Sequence, residues 1–149
     1  MLPITSHTIR LFLHVTAATV WVGGQLSLIA IMPSLRKHGV EPLRTAAQAF
    51  QRAAWPAFFV LLATGVWNLV AIHVGDQGGE WLTTLFVKLI LVAVSGVAAA
   101  IHIFVAAPRV RNAATDPERR KAAALSGALE SVSLLSGLGA VLLGVMLHG

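Results

Sequence analysis

At 149 residues, 56% hydrophobic and 11% charged, with a mean hydropathy of +0.78, the chain lies far outside the composition of a soluble domain. Its 11 Lys+Arg outnumber six Asp+Glu, but nearly all the bases sit in two loops, which marks membrane topology and contact with anionic headgroups rather than nucleic acid. Cysteine does not occur, which excludes disulfides, thiolate metal sites, covalent c-type haem attachment and palmitoylation.

Four apolar stretches follow one another: Leu11–Leu35, Ala53–Gly75, Trp81–Pro108 and Ala122–Gly149. Each exceeds the ~20 helical residues that cross a hydrocarbon core of about 30 Å. Backbone polar groups in lipid must be paired within the element, so a spanning segment is a helix or part of a closed barrel. The runs are continuously apolar, without the period-two alternation of a barrel strand. The predicted fold is therefore all-α, a single integral-membrane four-helix bundle with helices over about 8–33, 53–75, 81–108 and 118–148. The first run continues past Trp21-Val22-Gly23-Gly24 and contains His14 and Gln25, so it reads as a helix and not as a cleaved signal peptide.

Punctuation supports these bounds. Pro33 is expected to close the first helix, and the next connection carries Arg36, Lys37, Arg44 and Arg52. Glu41-Pro42 opens an amphipathic lead into the second helix, bent on entry at Pro56. Gly75 to Gly79 makes a turn with two acids, Asp76 and Glu80, after which Trp81 anchors the third helix. Pro108 is expected to close that helix, ahead of Arg109, Arg111, Arg119, Arg120 and Lys121. Asp116 then reads as an N-cap with Pro117 at the first helical position. Basic loops stay inside, which puts loops one and three in the cytoplasm and both termini outside a multi-pass protein of the cytoplasmic membrane. Arg10 alone runs against that orientation.

Function is expected where the few polar groups of the spans meet. His14, Ala18, Trp21 and Gln25 form one stripe; Thr64 and Asn68 lie four apart; Lys88, Ser95 and His102 are spaced by seven; Glu130, Ser133, Gly137 and His148 share a face. Rise per residue places His14, Asn68 and Lys88 roughly 9 Å below the outer ends of their helices, with His73, His148 and His7 above them. Gln25, His102 and Glu130 belong to an inner layer. His14 and His102 are thus about 12 Å apart along the normal, too far to sandwich one metal ion.

The outer layer suggests a cofactor held by His14, Lys88, His148, His73 and Asn68, with His14 and His148 as metal ligands. Neutral imidazole ligates iron, copper or zinc in a bundle interior. Lys88 would repel a bare copper ion but suits a ligand that carries both a metal and carboxylates, such as a haem with propionates. Glu130 and His102 are expected to pair near the cytoplasmic face, either as a proton path or as a pin between helices. For each group an ordinary role stands beside these: interfacial His73 and His148, a snorkelling Lys88, a Gln25 that bonds helices together.

The segment Leu13-His14-Val15-Thr16-Ala17-Ala18-Thr19-Val20-Trp21-Val22-Gly23-Gly24, followed by an apolar run and Pro33, resembles the opening of the copper-resistance protein D (CopD) family. Trp81 and Phe86-Val87-Lys88-Leu89 resemble a later helix of that family, and also the related four-helix membrane protoporphyrinogen oxidases, which carry a His on helix one and a Lys on helix three. The resemblance carries over His14 and Lys88. It implies copper handling on one side, haem b and porphyrinogen oxidation on the other. Val22-Gly23-Gly24 departs from the oxidase pattern, and no methionine ladder marks a copper conduit. The leading expectation is a haem b protein serving a redox partner by electron transfer. The alternatives are copper binding or transport, a haem-dependent protoporphyrinogen oxidase, and a scaffold subunit without a cofactor. A unit of only four helices admits a homodimer.

Overall fold

The computed structural model describes residues 4–147, and among them every regular element is a helix. The elements are α1 (Ser6–Ala18), a π-helical turn (Thr19–Gly23), α2 (Gly24–Lys37), α3 (Val40–Ala71), a 3-10 turn (Val74–Asp76), α4 (Gly79–Ile101), a second π-helical turn (His102–Ala106), α5 (Ala107–Asn112) and α6 (Asp116–Met146). The π turns join their neighbours without a break. Four rods result, Ser6–Lys37, Val40–Ala71, Gly79–Asn112 and Asp116–Met146, each long and apolar enough to cross a membrane. At 1.5 Å per residue, the 32 residues of the first rod run well beyond a core of about 30 Å.

Two compact helical hairpins emerge, the first ending at Gln77 and the second beginning at Gly78. In the first, α1 and α2 pack along α3; in the second, α4 and α5 pack along α6. The first hairpin turns at His38-Gly39, where Gly39 takes a φ of +104°, a left-handed value that a side chain would resist. Close approach also requires Gly24, since a Cβ there would stand 2.3 Å from the Phe50 ring.

Several helix ends differ from those the sequence suggests. Pro33 lies inside α2, which continues to Lys37. A proline so near the C-terminus forfeits one hydrogen bond and leaves the last turn able to form. Pro108 likewise stops nothing. It falls at the first positions of α5 directly after the π turn, and the rod runs on to Asn112. The lead at Glu41-Pro42 is continuous with its span, forming the single helix α3, with Pro56 inside it. The N-cap of α6 is Thr115, not Asp116: Thr115 accepts from the Glu118 N–H, and Glu118 returns a bond to the Thr115 N–H. Thr5 and Thr8 make the same reciprocal cap for α1.

Candidate functional site

In the first hairpin, two polar contacts stack one turn apart. Arg10 donates from Nε to Oδ1 of Asn68, and His14 Nδ1 lies 2.9 Å from Thr64 Oγ1. Residues 10 and 14 on α1, and 64 and 68 on α3, are each four apart, so antiparallel helices bring them face to face as successive rungs. The Thr64 hydroxyl spends its proton on the Val60 carbonyl at 2.7 Å, with the Leu61 carbonyl at 3.2 Å. Its oxygen therefore accepts from His14, which places a proton on Nδ1, so that in the neutral ring Nε2 is the nitrogen with a free lone pair. The ring packs over Gly65, where a Cβ would stand 3.5 Å from Cε1.

Further along the same helices the rungs become aromatic. Trp21, on the π turn, packs against Phe58 at 4.4 Å between ring centroids and edge-on to Trp55 at 5.8 Å. Gln25 is buried, and its Nε2 donates to the Trp21 carbonyl at 3.0 Å. A π turn displaces a carbonyl from its ordinary partner, and a side-chain amide one turn on can meet it. The buried face of the first rod runs through Arg10, Ala17, Trp21 and Gln25; Ala17 rather than Ala18 is the buried alanine.

The second hairpin is built on a repeat of seven. Trp81, Lys88, Ser95 and His102 step along α4 and into its π turn, and three of them meet the backbone of Leu147, just past α6, and of Ser133 and Ser126 within it. Trp81 Nε1 donates to the Leu147 carbonyl at 3.4 Å, and Ser95 Oγ to the Ser133 carbonyl at 2.7 Å. His102 Nδ1 stands 3.0 Å from the carbonyl and 3.1 Å from Oγ of Ser126. Lys88 is half-buried and reaches the backbone of α6, with Nζ 3.0 Å from where a Cβ on Gly144 would be. Ser95 and Ser133 are 1% and 2% exposed, the most enclosed polar side chains among the described residues of this hairpin.

His14 and Asn68 line adjacent rungs of the first hairpin, and Lys88 belongs to the seam of the second. His73 is exposed and takes a left-handed φ of 49° just past α3, where it ends the helix; that conformation is commoner for His than for most side chains. His148 lies outside the described residues, and His7 is exposed. Glu130 and His102 form no ion pair among the described residues, because the imidazole is engaged by Ser126 one turn away. Arg10 is the residue that sequence reasoning passed over. It is only 7% exposed, and the matched four-residue steps 10/14 and 64/68 were the available signal.

This geometry provides one oriented imidazole in each hairpin. No group of three or more His, Asp or Glu side chains able to hold a metal ion occurs among the described residues. Met146 is 61% exposed at the end of α6, and Met32 lies on α2, remote in sequence from His14.

No curated protein and no solved structure matches the chain. The family of copper resistance protein D matches residues 44–147, which takes in most of α3 and all of α4, α5 and α6. His14 lies outside that stretch, whereas Thr64, Asn68, Lys88 and His102 lie within it. With well over half of its length matched and four rods able to span a bilayer, this multi-pass membrane protein belongs to the copper resistance protein D family.

Proposed function

We propose that the chain handles copper ions at the cytoplasmic membrane, with copper as cargo and His14 as a transient contact in the first hairpin. The observation that carries this reading is the family match over residues 44–147. The hydrogen bond from His14 to Thr64 supports the choice of residue, since an acceptor held on one ring nitrogen orients the other for a metal. Arg10 stands one helical turn away, and its charge opposes a cation at His14. Repulsion is half as large for a singly charged ion, so Cu(I) is the favoured species. Copper handling replaces haem-based electron transfer as the leading reading, because the family match speaks for copper and not for haem.

The test is Cu(I) uptake by vesicles containing the purified protein, measured beside His14→Ala. Wild-type flux that falls to the level of empty vesicles in the variant, with equal incorporation of both proteins, is the expected outcome. An absorbance spectrum on the same sample decides against the proposal if it shows a Soret band at one haem per chain and metal analysis shows no copper.

A further inference from the structure

We infer that Arg10 and Asn68 hold a phosphate-type oxyanion, independently of whether the chain carries copper. A guanidinium is charged at any pH a cell meets and presents five N–H donors. Arg10 nevertheless has only 7% of its surface exposed. Its Nε is taken by Asn68 Oδ1, and its terminal nitrogens have no hydrogen-bonding partner among the described residues. They are not sealed in, since no fully buried side-chain nitrogen or oxygen there lacks a partner.

A counter-charge from the same hairpin does not reach it. The acids of that unit are Glu41, which pairs with Arg44 at 3.9 Å, and Asp76, exposed in the 3-10 turn. A charge enclosed without a partner is costly, whereas one that meets an anion through paired N–H groups is not.

Asn68 gives the site its sign. Arginine can only donate, so Oδ1 of Asn68 must face Nε, which leaves the Nδ2 amide as a further donor. The surface offered beside α1 and α3 is thus made of N–H groups from two side chains, with no acceptor among these atoms. Such a set complements an oxyanion and rejects a cation or a neutral acceptor-poor ligand. Arg10 lies one turn from the start of α1, about 6 Å along the axis. For a membrane-crossing helix that is headgroup depth, where the phosphate of a lipid is the most abundant oxyanion. Free phosphate has the same recognition chemistry.

The experiment uses the full chain in a maltoside detergent, which brings no phosphate. Three probes are titrated: short-chain phosphatidylglycerol, inorganic phosphate, and a diacylglycerol with the same tails but no phosphate. Thermal midpoint and bound adducts in native mass spectrometry are read together. Phosphatidylglycerol is expected to raise the midpoint by several degrees and to leave one retained copy per chain, with no effect from diacylglycerol. A parallel response to inorganic phosphate identifies a site open to the free ion; its absence identifies a site specific for the lipid headgroup. Arg10→Gln is expected to weaken the response about tenfold to a hundredfold. Asn68→Asp puts a carboxylate beside the guanidinium, so this variant should be more stable than wild type without any probe and indifferent to phosphate. A wild-type response to neither phosphate probe, one that survives in Arg10→Gln, or one matched by diacylglycerol overturns the inference.

Discussion

The two hairpins solve the same packing problem with different materials. In the second, the helices meet through small residues: Ser95, Gly96 and Ala98 on α4 against Ser133, Ser136, Gly137 and Ala140 on α6, all buried. Small side chains let backbones come close, and in lipid that contact must supply the attraction that water would otherwise provide. The first hairpin uses bulk and charge instead, with Trp21, Trp55 and Phe58 below and the Arg10 and His14 rungs above. Cationic and donor chemistry is concentrated in the hairpin with the larger side chains, while the other is a neutral hydroxyl and glycine seam broken by Lys88 and His102. A seam of small residues specifies distance; rungs of large polar residues specify orientation.

Five substitutions would break or sharpen that contrast. The largest effect is expected for Ser95→Leu, which forces three extra carbons into a site 1% exposed and should cost about 1–3 kcal/mol. Unfolding by SDS titration in mixed micelles measures it, and a neutral result would mean the seam is not close-packed. Thr64→Val keeps the shape of the first hairpin but removes the acceptor for His14 Nδ1. Copper(I) affinity should fall roughly 10-fold, with helix content unchanged; undiminished affinity would deny Thr64 any orienting role.

Lys88→Met sets the proposed cargo against the haem alternative. Removing an ammonium that repels copper should leave Cu(I) affinity equal or increased, while a ligand bearing carboxylates would be held less well. The smallest change is expected for Ser126→Ala. It deletes the hydroxyl but leaves the carbonyl that His102 reaches, so the loss should stay near about 0.6 kcal/mol in the same unfolding assay. Beside it, Glu130→Gln keeps shape and removes an exchangeable acid. Slower vesicle acidification on copper entry with intact stability would give Glu130 a proton role, and intact acidification would remove it.

The number and order of the spans were legible in the sequence because long apolar runs in lipid have one solution. So was the common face of Lys88, Ser95 and His102, since a step of seven survives an ordinary helix. The ends were less legible. Pro33 and Pro108 look like stops, yet each rod runs on past its proline. The two π turns left no composition signal. At the candidate site, His14 was visible as an intruder, but its partner Thr64 was one neutral residue among many. Arg10 entered only as a charge running against the predicted orientation, because nothing local to it announces Asn68, 58 residues away. Pairing Glu130 with His102 followed depth and face alone, and a backbone carbonyl one turn nearer won.

The π turn at Thr19–Gly23 contains one more residue than an α-helix would use to cover the same rise. It absorbs that residue by widening, so the faces of the rod on either side of it stay in register. Were the same five residues wound as ordinary helix, the part of the rod before them would be rotated by about 100° relative to the part after them. Gln25 and Leu28 could keep their places on α3 while Arg10 and His14 swung off Asn68 and Thr64. Loss of a single residue between positions 19 and 23 would instead let the turn close as ordinary helix with both polar rungs still in place.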